Sequence, residues 1–186
     1  MSVIFEELEL KGQKAKEAAR KLAFIPSGVK NEALKNIADD LRSKQADILA
    51  ANEKDCQAAR ESGMGAAMLD RLILTPERLN GMAADVMVVA AIADPVGEIF
   101  DSRTLANGLI IGRKRVPLGV IATIYESRPN VTIDISALCI KSGNAAVLRG
   151  GKEAVHSNMA LAKLASAAAV RAGMPEGTVQ LIENTD

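Results

Sequence analysis

The sequence predicts an α/β protein in which N-terminal helices precede a β-hairpin and an open, Rossmann-like parallel sheet. Three observations carry this. Apolar side chains recur at helical spacing through residues 1–94, interrupted by proline and glycine. The pair Asn107-Gly108 lies between two short apolar stretches, a strong hairpin signal. From Gly119 onward, strand-like and helix-like segments alternate as β-α-β-α-β, the order of a parallel sheet.

Each element has its own signal. Residues 5–24 place Leu8, Ala15, Ala19, Leu22 and Ala23 near helical spacing, and the charges of KEAARK read as a solvated face. Pro26-Ser27-Gly28 breaks this run, with Ser27 expected to cap the next helix. That helix carries Leu34, Ile37, Ala38 and Leu41 on one stripe, with Asp39 and Asp40 expected in solvent. A helix over about 44–61 ends at Ser62-Gly63. Thr75-Pro76-Glu77 opens another, with Thr as N-cap, Pro in the first turn and an acid at the positive end, and it stops at Asp94-Pro95. Beyond Pro117 come strand GVIATIY, helix RPNVTIDISALCIK, strand AAVLR, an Ala-rich helix from Glu153 and strand TVQLI. Nothing in the sequence covers the outer edge of such a sheet, so the fold is expected to be incomplete or finished by another chain.

Composition narrows the function. The 186 residues balance 23 Lys+Arg against 23 Asp+Glu, with 48% hydrophobic and 2% aromatic residues. This fits a soluble globular protein and argues against disorder. It also argues against a general nucleic-acid binder, which needs a basic excess and stacking aromatics. The N-terminus lacks the pattern of a secretory signal, and the most apolar window, Met87 to Ala93, is far shorter than the roughly 18 residues of a membrane span. Cys56 and Cys139 make no disulfide framework, which points to a cytoplasmic location; Cys56 is expected at the surface and Cys139 in the core. His156, the single histidine, has no partner at ligand or triad spacing and reads as a surface or packing residue; no metal-ligand spacing occurs.

Two loops fall at the C-terminal ends of strands, where open α/β sheets bind ligands. The second, Arg149-Gly150-Gly151-Lys152-Glu153, joins two cations, two glycines and a helix start, a combination suited to a cofactor phosphate. An ordinary glycine turn with solvated cations reads equally well, since neither dinucleotide fingerprint nor Walker loop is present. The first, Tyr125 to Asn130, places Ser127 at an expected N-cap and Pro129 in the first helical turn. It reads either as a plain helix start or as a substrate or cofactor loop using Ser127, Arg128 and Asn130.

Residues 115–158 make the comparison specific. The linked motifs PLGVI, YESRPNVT, KSGNA and LRGGKEA resemble the γ-glutamyl phosphate reductase (glutamate-5-semialdehyde dehydrogenase) family of the aldehyde dehydrogenase superfamily. KEAARKLA, LDRLILTPERL and the DPVGEI hairpin extend the likeness along the chain. The resemblance implies an aldehyde-dehydrogenase-like fold and an oxidoreductase of proline biosynthesis. It would use NADPH to reduce γ-glutamyl phosphate to glutamate 5-semialdehyde and phosphate through a cysteine thioester. Counted from Gly143-Asn144, Arg149 falls at a cofactor-contacting lysine of the superfamily. Lys152 falls where NAD-preferring relatives have an acid on the adenosine ribose, so a cation there suits a 2′-phosphate. The superfamily's oxyanion asparagine aligns nearest Arg128, which leaves its role and that of Asn130 open.

The family's nucleophilic cysteine belongs to a later catalytic domain, and neither Cys56 nor Cys139 lies in its motif. The chain is therefore expected to be the N-terminal part of the enzyme and inactive alone. Residues 1–94 would be the helical part of the cofactor domain, 95–117 an oligomerisation-type hairpin and 118–186 half of the nucleotide-binding sheet. No catalytic residue is expected within the chain, and the assembly is expected to be a homo-oligomer. The alternative is a non-catalytic binding or assembly module with the same fold.

Overall fold

Apolar stripes and their terminators set the helices of the N-terminal half. The computed structural model describes residues 3–185, and in it α1 (Val3–Leu22), α2 (Ser27–Ser43), α3 (Gln45–Glu61), α4 (Ala66–Leu72) and α5 (Pro76–Ala91) follow one another. Strands β1 (Ile99–Thr104) and β2 (Ile110–Lys114) form the antiparallel hairpin around Asn107-Gly108. Strand β3 (Val120–Ile124), helix α6 (Asn130–Lys141), β4 (Ala145–Arg149), α7 (Val155–Arg171) and β5 (Val179–Leu181) complete the chain.

The parallel sheet has the order β3-β4-β5, with Val120 opposite Ala145 and Ala146 opposite Val179. Its central strand is sealed: Ala145, Ala146 and Leu148 are fully buried, as parallel strands covered on both faces require. The two crossovers bring α6 and α7 against each other, in keeping with the usual right-handed βαβ connection. Helix α1 packs on all three strands and buries Ala15, Ala18, Ala19 and Leu22. Helices α2, α3 and α5 form an outer layer over α6 and α7. One apolar cluster unites these layers, so the N-terminal helices share the core of the sheet. The hairpin stands outside it, with all but two of its strand residues exposed. Its register shifts between Phe100 and Arg103, around Asp101 with φ +54°, as at a β-bulge.

Several local expectations change on contact with tertiary structure. Ser27 is the first helical residue, not the cap; Pro26 takes the cap position and the Ser27 hydroxyl donates to Asp94 Oδ2 at 2.6 Å. Thr75 does cap α5, accepting from the Arg78 amide. Asp40 is buried rather than solvated, accepting from Lys44 Nζ and Arg171 Nη1, each at 2.9 Å, and so tying α2 to α7. Cys56 is buried, not at the surface: it packs with Ala59, Leu72 and Ala154 in a second small cluster, because α4 closes over α3. Helix α4 itself had no sequence signal, since seven residues are too few to show a period. Cys139 is in the core as expected, and His156 is exposed. Among the described residues no helix is long and apolar enough to cross a membrane.

Candidate functional site

The two loops singled out in the sequence meet at the C-terminal ends of β3 and β4, in register because Ile124 lies opposite Arg149. Parallel pairing brings them together, and hydrogen bonds hold them: the Tyr125 amide donates to the Arg149 carbonyl at 3.1 Å, and the Ser127 hydroxyl to Glu153 Oε2 at 2.9 Å. Ser127 is thus a bridge between loops rather than the expected N-cap; Pro129 precedes the first residue of α6.

The glycines serve this closeness. A Cβ on Gly150 would lie 2.1 Å from Asn158 Nδ2 and 3.2 Å from Tyr125, and one on Gly151 would lie 2.7 Å from Glu153 Oε2. Only glycine lets the backbone pass there, and what it approaches is protein. Behind Gly150, Thr132 Oγ1 donates to Asn158 Oδ1 at 3.0 Å. That uses the threonine proton, so the Tyr125 hydroxyl donates to Thr132 Oγ1 across 2.7 Å. Burial raises the Tyr125 phenol above its ordinary pKa, with the Thr132 bond opposing it, so the hydroxyl is protonated at neutral pH.

The helix start behind the second loop differs from the expectation. Lys152–Ala154 forms a 3₁₀ turn, and α7 begins at Val155 rather than Glu153. Asp55 of α3 already occupies the α7 N-terminus: its carboxylate accepts from the His156 amide at 3.1 Å, the Ser157 amide at 2.7 Å and the Ser157 hydroxyl at 2.6 Å. Asn52, one turn earlier, donates to the Leu72 carbonyl and Ser157 Oγ, each at 2.9 Å, and accepts from the Leu74 amide at 2.8 Å. Every polar atom of this buried network has a partner. These two residues hold the second loop in place, and nothing local in the sequence marks them, because their partners lie about twenty to a hundred positions away.

The two cations of the second loop stand apart from this network. Arg149 is half-buried and donates to the Thr185 carbonyl at 2.6 Å. Lys152 is exposed and has no hydrogen-bond or ion-pair partner among the described residues. Glu153 is turned onto Ser127, away from that lysine's solvent side. An exposed ammonium at the C-terminal end of the central strand suits an anionic group such as a cofactor phosphate.

Across the first loop lies a cleft of about 480 Å³ between α4, α5 and the start of α6. Arg71, Arg78, Asp85, Arg128 and Asn130 line it. Arg78 is tied to Asp70 at 2.9 Å and to the Ile73 carbonyl at 2.7 Å. Arg71 and Arg128 both approach the exposed Glu126, at 3.7 and 3.4 Å. Asn130 donates to Asp134 at 2.9 Å. Burial and the nearby Asp85 charge raise the Asp134 carboxyl above its ordinary pKa, against the Asn130 bond. The structure thus separates the sequence candidates: Arg149 to Lys152 face one side of the Tyr125–Asn130 loop, Arg128 and Asn130 the other.

Neither cysteine is placed for nucleophilic work. Both are free and buried; burial pushes the Cys139 thiol up to about 11, and burial likewise raises that of Cys56.

Comparison with known proteins adds to this geometry. No protein-family model matches the chain. The chain is 58% identical over 180 residues to a γ-glutamyl phosphate reductase of Dehalococcoides mccartyi, covering 97% of this chain and 42% of that protein. It is 54% identical over 179 residues to the same-named protein of Aeromonas salmonicida. The chain thus spans about two fifths of the length of these curated relatives. Among solved structures, the γ-glutamyl phosphate reductase of Thermotoga maritima superposes with TM-score 0.94 at 43% identity, covering 97% of this chain and 44% of that one. The Saccharomyces cerevisiae protein of that name gives 0.90 at 34%, covering 100% and 47%. An acetylating aldehyde dehydrogenase from Geobacillus thermoglucosidasius, 18% identical with TM-score 0.72, shares the fold.

Proposed function

We infer that this chain is the N-terminal part of a γ-glutamyl phosphate reductase, which reduces γ-glutamyl phosphate with NADPH to glutamate 5-semialdehyde and phosphate in proline biosynthesis. The observation that supports this reading is the likeness to those reductases, in sequence and in fold, along nearly the whole chain.

When bound, NADPH supplies the hydride. The residues of this chain bind and orient it. Lys152, exposed and without a partner among the described residues, pairs with the 2′-phosphate of the adenosine ribose. Arg149 adds positive charge at the same strand end, and Gly150 and Gly151 set the loop close against Tyr125 and Ser127. Asp55 and Asn52 keep the loop from drifting, since α7 starts on their hydrogen bonds. On the other side, we assign the cleft lined by Arg128, with Asn130 held beside it by Asp134, to the substrate. The nucleophile of this reading is neither Cys56 nor Cys139, both buried; it is assigned to the part of the enzyme that residues 1–186 do not cover. We also assign a cytoplasmic location, in keeping with two unpaired cysteines, and a homo-oligomeric assembly. The latter is supported by exposed apolar side chains on and beside the hairpin, Ile99, Ile110, Val116 and Leu118.

Two measurements test the reading. The full-length enzyme should reduce γ-glutamyl phosphate with NADPH; inactivity would sink the assignment. Lys152→Glu in that enzyme should shift the ratio of kcat/KM for NADPH over NADH at least tenfold toward NADH, about 1.4 kcal/mol. An unchanged ratio removes Lys152 from the cofactor site.

A further inference from the structure

We propose that the cleft between α4, α5 and the first loop receives the amino-acid head of the substrate, its α-carboxylate between Arg71 and Arg128 and its α-ammonium against Asp85. This rests on the functional reading above and names the recognition element that the reading leaves open.

The charges of the cleft sort into those already used and those still available. Arg78 is committed to Asp70 and to the carbonyl of Ile73. Asn130 is committed to Asp134. Arg71 and Arg128 instead share one exposed carboxylate, Glu126, and both contacts are longer than a good charge-assisted hydrogen bond. Two guanidinium groups converging on one loosely held carboxylate form a receptor that a better-placed carboxylate can take over. Asp85, on the α5 wall of the same cleft, has no cation and no hydrogen bond among the described residues, and Asp134 stands near enough to feel its charge.

A cleft with cations on one wall and carboxylates on another fits a group that carries both signs. The phosphate of the substrate carries only negative charge, so Asp85 and Asp134 oppose it. An α-amino acid brings a carboxylate and an ammonium on one carbon, which satisfies both walls at once. Position agrees. Arg128 and Asn130 belong to the loop whose opposite side, through Ser127 and Glu153, touches the cofactor loop. A substrate held by its head here would extend its acyl end toward that boundary.

The full-length enzyme, assayed in the oxidising direction with glutamate 5-semialdehyde, phosphate and NADP, gives the test. Arg71→Gln and Asp85→Asn should each lower kcat/KM for the semialdehyde at least about tenfold, the loss expected for one charge-assisted contact, and leave KM for phosphate and NADP unchanged. With glutaric semialdehyde, which lacks the amino group, the Asp85→Asn effect should vanish while that of Arg71→Gln persists. Glu126→Gln should lower KM for the semialdehyde about two- to threefold by freeing both arginines. All three side chains are exposed, so the variants should retain wild-type melting curves. An active wild type whose kcat/KM is unmoved by Arg71→Gln or Asp85→Asn overturns the proposal. So does an effect on KM for phosphate in place of the semialdehyde, an Asp85→Asn loss that is equal for both aldehydes, or a raised KM in Glu126→Gln. A wild type inactive with glutamate 5-semialdehyde overturns the functional reading, and the proposal with it.

Discussion

Asp55 shows how much a single residue can carry without any local mark. It is 3% exposed, and three donors converge on it from the start of α7. A carboxylate at that place satisfies amides that helix geometry leaves without partners and complements the positive end of the helix. Asp55→Ala should lower unfolding free energy by at least about 2 kcal/mol, because it strands buried donors. Asp55→Asn should cost less, since its amide oxygen still accepts; urea denaturation distinguishes the two. Lys152 is the contrasting case: its placement beside two glycines after an apolar strand was legible in the sequence, and the structure adds that it is exposed, with no hydrogen-bond or ion-pair partner among the described residues. The sequence offered the α7 amides to an anion; that Asp55 already takes them was not legible, because it comes from a distant helix.

At the scale of elements, the segment Lys141 to Asn144 works as a joint. Gly143 has φ +72° and closes α6, with its amide donating to the Ile140 carbonyl at 3.1 Å and that of Asn144 to the Cys139 carbonyl at 2.8 Å. Asn144 Oδ1 then accepts from the Gly119 amide at 2.8 Å, which fixes where β3 begins. Lys141, buried, donates to Asn31 at 2.7 Å and to the Ala90 carbonyl at 2.8 Å, fastening α6 to α2 and α5. A methyl group at Gly143 would meet the left-handed conformation and Pro117 at 3.0 Å. Gly143→Ala should therefore destabilise by about 1–2 kcal/mol. Gly12→Ala, inside α1 with open space around it, should instead stabilise by about 0.5–1 kcal/mol. Paired urea midpoints check both signs. The helices, the hairpin and the parallel strands were all legible as elements, because period and turn chemistry are local. Helix α4 was not, being too short to show a period, nor were the roles of Ser27 and Ser127, whose partners come from elsewhere.

For the molecule as a whole, the junction of α2 with the segment after α5 couples folding to pH. Asp94 accepts from Lys30 Nζ at 2.9 Å, and Lys30 is 1% exposed. Burial alone would raise the Asp94 carboxyl, but hydrogen bonds from Ser27, Lys30 and the Val96 amide outweigh it and hold it below the usual carboxylate range. A carboxyl depressed on folding contributes stability that is present above its unfolded value, about 3.9, and is lost as pH falls through the folded value. Asp94→Asn should accordingly flatten the loss of stability between about pH 5 and pH 2, measured by thermal melts across that range. An unchanged slope would place the acid-sensitive contacts elsewhere, with Asp40 the next carboxyl held low, between Lys44 and Arg171.

The sequence by itself determined the class of fold, the order of its elements and the two loops at the strand ends, since hydrophobic period, breakers and motif spacing are properties of neighbouring residues. Only the tertiary structure decided which of the loop's polar groups are already partnered within the protein. Ser127 is spent on Glu153 and the α7 amides on Asp55, while Lys152 is left to one side of the first loop, and Arg71 and Arg128 to the other. The physical reason is that a polar group's availability depends on every partner within about 3 Å, and parallel crossovers bring those partners from the far ends of the chain.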